Sequence, residues 1–163
     1  MSLDVSALPD WDSFTFVALF EFDQPIAYRR ILQTKNFTDD HGLYWNTSRL
    51  EFSPGGNGPS GVHKADRFEQ VAFVKNHGSL GGYVDGMFQF STTSDAEVSV
   101  DHLMQIFRDD GVGDNENSGG EVARMRLYHP ALTAVPAPTE CGVAFGGLAA
   151  GLILWRRASK QRR

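Results

Sequence analysis

The densest chemistry in the chain is a short acidic stretch, Asp109, Asp110, Asp114 and Glu116, interleaved with Gly111, Gly113, Asn115 and Asn117. Carboxylate and amide oxygens at such close spacing are hard donors. Ca²⁺, which takes about six to eight oxygens in a flexible shell, is the ion they suit. The spacing is not that of an EF-hand, and a solvated acidic loop is the alternative reading. A second acidic run, Thr38-Asp39-Asp40-His41, reads as a turn. Tyr28, Tyr44, Trp45 and Tyr83 have flat rings that stack on sugars when exposed, although most aromatic rings of a sandwich belong to its core.

Catalysis finds little to work with. A strand carrying Glu-x-Asp-x-Glu would aim three carboxylates into one cleft, as glycoside hydrolysis needs. Glu21-Phe22-Asp23 begins that pattern, but Gln24-Pro25 breaks it before a third carboxylate. The five histidines, His41, His63, His77, His102 and His129, lack ligand spacing, and no nucleophile elbow, metalloprotease motif or phosphate loop occurs. The lone Cys141 can form no internal disulfide and has no His/Cys cluster around it. The expectation is a non-catalytic protein.

Charge is unevenly divided. The chain has 163 residues, 41% of them hydrophobic, and a formal net charge of -5. All 20 acidic residues precede position 141, whereas Arg156, Arg157, Lys160, Arg162 and Arg163 follow it, so the first 140 residues carry a net charge of -10. An acidic domain of this kind excludes a nucleic-acid footprint. The basic end follows an uncharged run, residues 141–155, that finishes in Trp155. An apolar run flanked by an interfacial aromatic and then by Arg156 and Arg157 predicts a transmembrane helix with a cytoplasmic C-terminus. Fifteen helical residues rise only about 22 Å, so on length alone a buried core segment competes with this reading. The terminal position and basic flank favour the membrane.

These residues are positioned by strands. Phe14, Phe16, Ala18, Phe20 and Phe22 alternate with Thr15, Val17, Leu19 and Glu21, which predicts a strand covered on both faces in the middle of a sandwich. Shorter strands are expected at Arg30–Gln33, Gly42–Trp45, Leu50–Phe52, Glu69–Lys75, Gly82–Val84, Met87–Phe90, Val98–Val100, Leu103–Phe107 and Val122–Tyr128. Val84-Asp85-Gly86-Met87 is a hairpin signal. Gly55 to Pro59 and Asp109 to Gly120 read as loops. No amphipathic helix of three turns appears before residue 134, so the fold class is all-β, an antiparallel β-sandwich. The organisation divides into a sandwich over residues 1–133, a Pro-rich linker and sorting box over 134–140, the helix over 141–155 and a basic tail over 156–163.

Val135-Pro136-Ala137-Pro138, followed by the apolar run and Arg156-Arg157, resembles a PEP-CTERM sorting signal. Ala137 stands where that family has Glu. The resemblance implies an exported bacterial protein processed by an exosortase-type protease. The first 133 residues resemble a LamG-like (concanavalin A-like, laminin-G) jelly-roll domain. The segments carrying it are Phe14-Thr15-Phe16…Phe20-Glu21-Phe22, Tyr28 to Leu32, Asp40 to Tyr44, Phe68 to Phe73, Gly82 to Gly86, Phe107 to Asp110 and Gly120 to Thr133. Phe68 stands where that family has Trp, and the family has at least one strand before the position of Leu3. Rim-loop calcium is common among such domains, which adds to the reading of Asp109, Asp110, Asp114 and Glu116.

The two resemblances together imply a non-catalytic surface protein of the bacterial envelope that binds polysaccharide or matrix through Tyr44, Trp45 and Tyr83. A structural module acting by protein–protein contacts is the alternative, and a truncated copy without function is another. No signal peptide is visible at Met1-Ser2-Leu3-Asp4-Val5, so the expectation is a start upstream of Met1 or a shortened gene copy.

Overall fold

A computed structural model describes residues 1–23, 28–34, 41–64, 66–93, 102–108 and 118–135. Eleven strands run through them: β1 (Ser2–Asp4), β2 (Ser13–Phe22), β3 (Arg29–Gln33), β4 (Gly42–Asn46), β5 (Arg49–Ser53), β6 (Gly56–Asn57), β7 (Glu69–Asn76), β8 (Ser79–Val84), β9 (Met87–Thr92), β10 (Leu103–Ile106) and β11 (Gly120–Tyr128). They form a six-stranded sheet, β1-β10-β3-β4-β5-β6, and a five-stranded sheet, β11-β2-β7-β8-β9, and every pairing is antiparallel.

Alternation builds the core. Phe14, Phe16, Ala18, Phe20 and Phe22 of β2 and Val71 and Phe73 of β7 face Leu43 and Trp45 of β4 and Leu50 and Phe52 of β5. The sheets meet through ring contacts, with Phe52 stacked on Phe73 at 5.2 Å and Phe20 edge-on to Phe107 at 5.1 Å. Each buried aromatic contributes about 2 kcal/mol from transfer alone, so this phenylalanine-rich seam holds the layers together.

The β2 expectation holds: the strand lies between β11 and β7, and Thr15 and Val17 are buried on its far face. So does the hairpin signal, where Asp85 and Gly86 both take positive φ between β8 and β9. Gly55 to Pro59 departs from its reading as a loop only. Gly56 and Asn57 form a short strand against Phe52 and Glu51, because the bare Gly56 backbone fits beneath the Phe90 ring, 2.6 Å from where a Cβ would stand. β1 was not foreseen either; it pairs with β10 at the edge of the six-stranded sheet. The expected strand at Val98–Val100 lies outside the described residues.

Candidate functional site

The register defines two outer faces with different chemistry. On the six-stranded sheet, Ser2, Gln105, Gln33, Gly42 and Ser53 stand in one row across β1, β10, β3, β4 and β5. Arg30, Tyr44 and Glu51 stand in the next. A bulge at Ile31 creates this arrangement. Two residues of β3 then oppose one step of β4, so Ile31 and Leu32 both reach the core while Arg30 lies beside Tyr44. The guanidinium carbon of Arg30 sits 4.8 Å from the centre of the Tyr44 ring. The Ser2 hydroxyl donates to Gln105 Oε1 at 2.8 Å, and Glu51 accepts from Asn46 and Arg49 at 2.8 and 3.0 Å. Arg30, Gln33, Tyr44 and Gln105 are all buried, so the centre of this polar face is closed to solvent, while Ser2 at its edge is exposed and Glu51 and Ser53 are half-buried.

That corrects two expected ligand contacts. Tyr44 is only 3% exposed and is committed to Arg30. Trp45, at 1%, points into the core with its ring 4.9 Å from that of His63. Neither ring offers a free face to a sugar. His63 belongs to a structural cluster: its Nδ1 lies 2.5 Å from Glu69 Oε2, and Glu69 Oε1 accepts from the backbone N–H of Lys64 at 2.8 Å and from Arg67 Nε at 3.4 Å. One carboxylate, nearly all buried, thus ties His63, Lys64 and Arg67 to β7.

The five-stranded sheet is different. Its register gives the row Arg126, Val17, Ala72, Tyr83 and Phe88 across all five strands. The neighbouring row is Tyr128, Thr15, Val74, Gly81 and Ser91. In the first row large side chains stand at both ends and small ones between, a shallow trough whose floor residues Val17 and Ala72 are themselves buried, whereas the second row ends in Gly81 and Ser91. From β11 to β8 is three strand spacings, about 14 Å. One wall is Arg126 with Tyr128, whose hydroxyl lies 3.2 Å from Arg126 Nη1. The other is Tyr83 with Phe88, edge to face at 5.6 Å. Phe88 is 58% exposed, whereas Tyr83, Arg124, Arg126 and Tyr128 are half-buried.

Local sequence explains the walls. A bulge at Ala123 resets β11 so that Arg124, Arg126 and Tyr128 share the outer face while Met125 and Leu127 turn inward. After β11 the chain crosses the sheet, and the backbone N–H groups of Ala131 and Leu132 donate to Ser13 Oγ and Thr15 Oγ1 at 3.0 and 2.9 Å. This strap lies against β2 at Ser13 and Thr15, both of which are buried. Asp4 is held below the usual carboxylate range by its bond from the Ser6 backbone N–H, and burial and then Arg108 lower the Met1 ammonium. Both groups lie on or beside β1, away from the trough.

Of the expected contacts, Tyr83 alone lies in this trough. Phe88, Arg126 and Tyr128 were not singled out, although the alternation Arg124-x-Arg126-x-Tyr128 was there to read. Tyr28, 47% exposed, stands just before β3. Asp109, Asp110, Asp114 and Glu116 lie outside the described residues, as do Pro136, Ala137, Pro138, Trp155, Arg156 and Arg157; Val135 is the last residue described. Among the described residues no group of three potential metal ligands occurs, and no helix is long and apolar enough to cross a membrane.

No protein-family model matches this chain, and no curated protein matches it. Solved structures do. A Bacteroides ovatus protein described as carbohydrate-binding aligns at 18% identity with a TM-score of 0.57, over 79% of this chain and 40% of its own. Domain 4 of AbnA, a GH43 extracellular arabinanase from Geobacillus stearothermophilus solved with arabinotriose, aligns at 17% and 0.57, over 75% and 63%. The CBM40 of Ruminococcus gnavus IT-sialidase, bound to α2,3-sialyllactose, aligns at 15% and 0.54, over 82% and 88%. The chain therefore spans less than two thirds of the first two, and at these identities the likeness concerns the fold: an antiparallel β-sandwich shared with carbohydrate-binding modules.

Proposed function

We propose that this protein is a non-catalytic carbohydrate-binding module and that the outer face of the five-stranded sheet holds the glycan. The observation carrying this reading is the row from Arg126 to Phe88, where a floor of Val17 and Ala72 lies between an Arg–Tyr wall and an aromatic one. Sugars present apolar ring faces and a rim of hydroxyls. Tyr83 and Phe88 match the first, and Arg126 and the Tyr128 hydroxyl match the second. The shared fold with modules solved in complex with arabinotriose and sialyllactose supports the same reading.

The remaining parts of the proposal rest on sequence. Val135-Pro136-Ala137-Pro138, the run 141–155 and the Trp155-Arg156-Arg157 flank support export, exosortase-type processing and envelope anchoring. The oxygen donors of Asp109, Asp110, Asp114 and Glu116 support a calcium site. A glycan array probed with the full chain, with and without chelator, tests the module. Retention on at least one polysaccharide that Phe88→Ala weakens on the order of tenfold is the expected result. Binding to no glycan in either condition returns the protein to a structural role. Intact mass of the envelope fraction tests the tail, since processing removes the residues after the sorting box.

A further inference from the structure

We infer that the ligand of the five-stranded face is an uncharged glycan whose hydroxyls are read beside Gly81, by the Tyr83 phenol and the Ser91 hydroxyl. The inference rests on the reading of that face as a glycan site and adds the residues that set its specificity.

β8 carries two glycines in succession, and the core requires only one of them. Gly82 faces inward, where a Cβ would run into the ring of Phe90, which is buried and cannot move aside. Gly81 faces outward, opposite Val74 of β7 and Ser91 of β9. A Cβ there would meet Cε2 of Tyr83 at 3.3 Å and its hydroxyl at 3.7 Å. The next neighbour, the Phe90 carbonyl oxygen, is at an ordinary 3.9 Å. Both Tyr83 atoms belong to the far end of a half-buried side chain that can swing away. A glycine inside a strand weakens it and commonly marks a place where something approaches the backbone closely. Nothing rigid demands that at position 81, so the bare position serves the phenol that lies over it.

The same contacts describe how Tyr83 is held. It folds back along β8, with its hydroxyl end near Gly81 and its ring centre 5.6 Å from that of Phe88. The phenol makes no hydrogen bond with any other described residue, and neither does the Ser91 hydroxyl. Ser91 is exposed and pairs with Gly81, and directly opposite residues stand about 5 Å apart. Two unengaged hydroxyls therefore flank a bare stretch of backbone, beside an aromatic ring that is 58% exposed.

The chemistry of these groups selects the ligand. A sugar with its apolar ring face on Phe88 would bring its rim of hydroxyls over Gly81. There the phenol and the serine can each donate and accept, and no side chain stands in the way. None of Gly81, Tyr83, Phe88 and Ser91 carries a charge near neutrality, so a polyanion finds no cation among them. The first 140 residues, at a net charge of -10, repel it further.

The test is retention of the full chain on immobilised arabinan, galactan and dextran, with dextran sulfate and polygalacturonate alongside. The expected result is retention on at least one of the three neutral polysaccharides, unchanged as salt rises. Tyr83→Phe and Ser91→Ala should each weaken it about fivefold, the net effect of one hydrogen bond, with melting midpoints unchanged. Gly81→Ala should weaken it at least as much while its melting midpoint holds or rises, because alanine disfavours a strand less than glycine. The reverse pattern at Gly81, a lower midpoint with full retention, would overturn the inference. Tyr28→Phe, the same change at an exposed tyrosine outside the face, should leave binding alone. Full retention by Tyr83→Phe or by Ser91→Ala, where Phe88→Ala is weakened, would overturn the inference and spare the reading of the face. So would retention confined to the two polyanions and weakened by Phe88→Ala. Retention on none of the five, or retention that Phe88→Ala leaves whole, would remove both.

Discussion

The outer faces of the two sheets draw on the same side-chain types, arginine and tyrosine in neighbouring rows, and put them to opposite uses. On the six-stranded sheet Arg30 and Tyr44 are buried against each other. On the five-stranded sheet Arg126, Tyr128 and Tyr83 stand half-exposed around a floor of small residues. In both sheets a bulge decides which residues share a face, at Ile31 in β3 and at Ala123 in β11. Residue type supplies the capacity to bind; register and cover decide whether that capacity meets solvent or is consumed inside the fold.

Replacing the same residue on each face breaks the comparison most directly. Tyr44→Ala empties a buried site and removes the ring that packs on the Arg30 guanidinium, so we expect a loss of about 3 kcal/mol in denaturant unfolding. Tyr83→Ala removes a half-buried ring and its edge-to-face contact with Phe88, costing about 1 kcal/mol, while it should weaken glycan retention strongly. Equal stability losses with no effect on binding would show that both faces are merely structural.

Glu69 joins the two regions, because the segment it holds on β7 carries His63, whose ring packs on Trp45 of the other sheet. Glu69→Gln keeps the shape but loses the charge that gathers the His63, Lys64 and Arg67 donors. An expected cost of about 2 kcal/mol should appear as a lower melting midpoint. Retention at temperatures where the variant stays folded should be unchanged, because the cluster lies away from the trough. A loss of binding in folded Glu69→Gln would mean that the two regions are coupled.

How far the sequence revealed this depends on the range of the interaction. β2 and the β8–β9 hairpin were legible because period-two phenylalanines and an Asp-Gly turn are local signals. The misplacement of Tyr44 and Trp45 has a physical cause. In Gly42–Asn46 both positions read as strand aromatics, and nothing local says that Arg30, fourteen residues before Tyr44, will cover one while the other joins the core. The trough was harder still, since its defining row takes one residue from each of five strands. Short β1 and β6 carry no pattern of their own and form only because β10 and β5 offer them an edge.

Phe88→Ala separates binding from stability more cleanly than either tyrosine. The ring is 58% exposed, so its removal should change stability by less than about 1 kcal/mol and weaken glycan retention on the order of tenfold. Full retention by a folded Phe88→Ala protein would move the site off this face.

The smallest expected effect sharpens the boundary of the site. Met87 is the most exposed large apolar residue among those described, at 70%, and exposure alone would rank it above Phe88 as a contact. Register argues otherwise. Met87 pairs with Val84, whose side chain turns to the core side, whereas Phe88 pairs with Tyr83 on the outer side. Met87 therefore projects from the edge of the sheet beside the hairpin turn and not over the trough. Met87→Lys should change stability by no more than about 0.5 kcal/mol, and it should leave retention on a neutral glycan as it was. On an anionic glycan the added cation can only help, and slightly, because it stands at the rim. If Met87→Lys instead abolishes retention while Phe88→Ala does not, the ligand lies along the β9 edge, and the cross-strand row is a floor without an occupant.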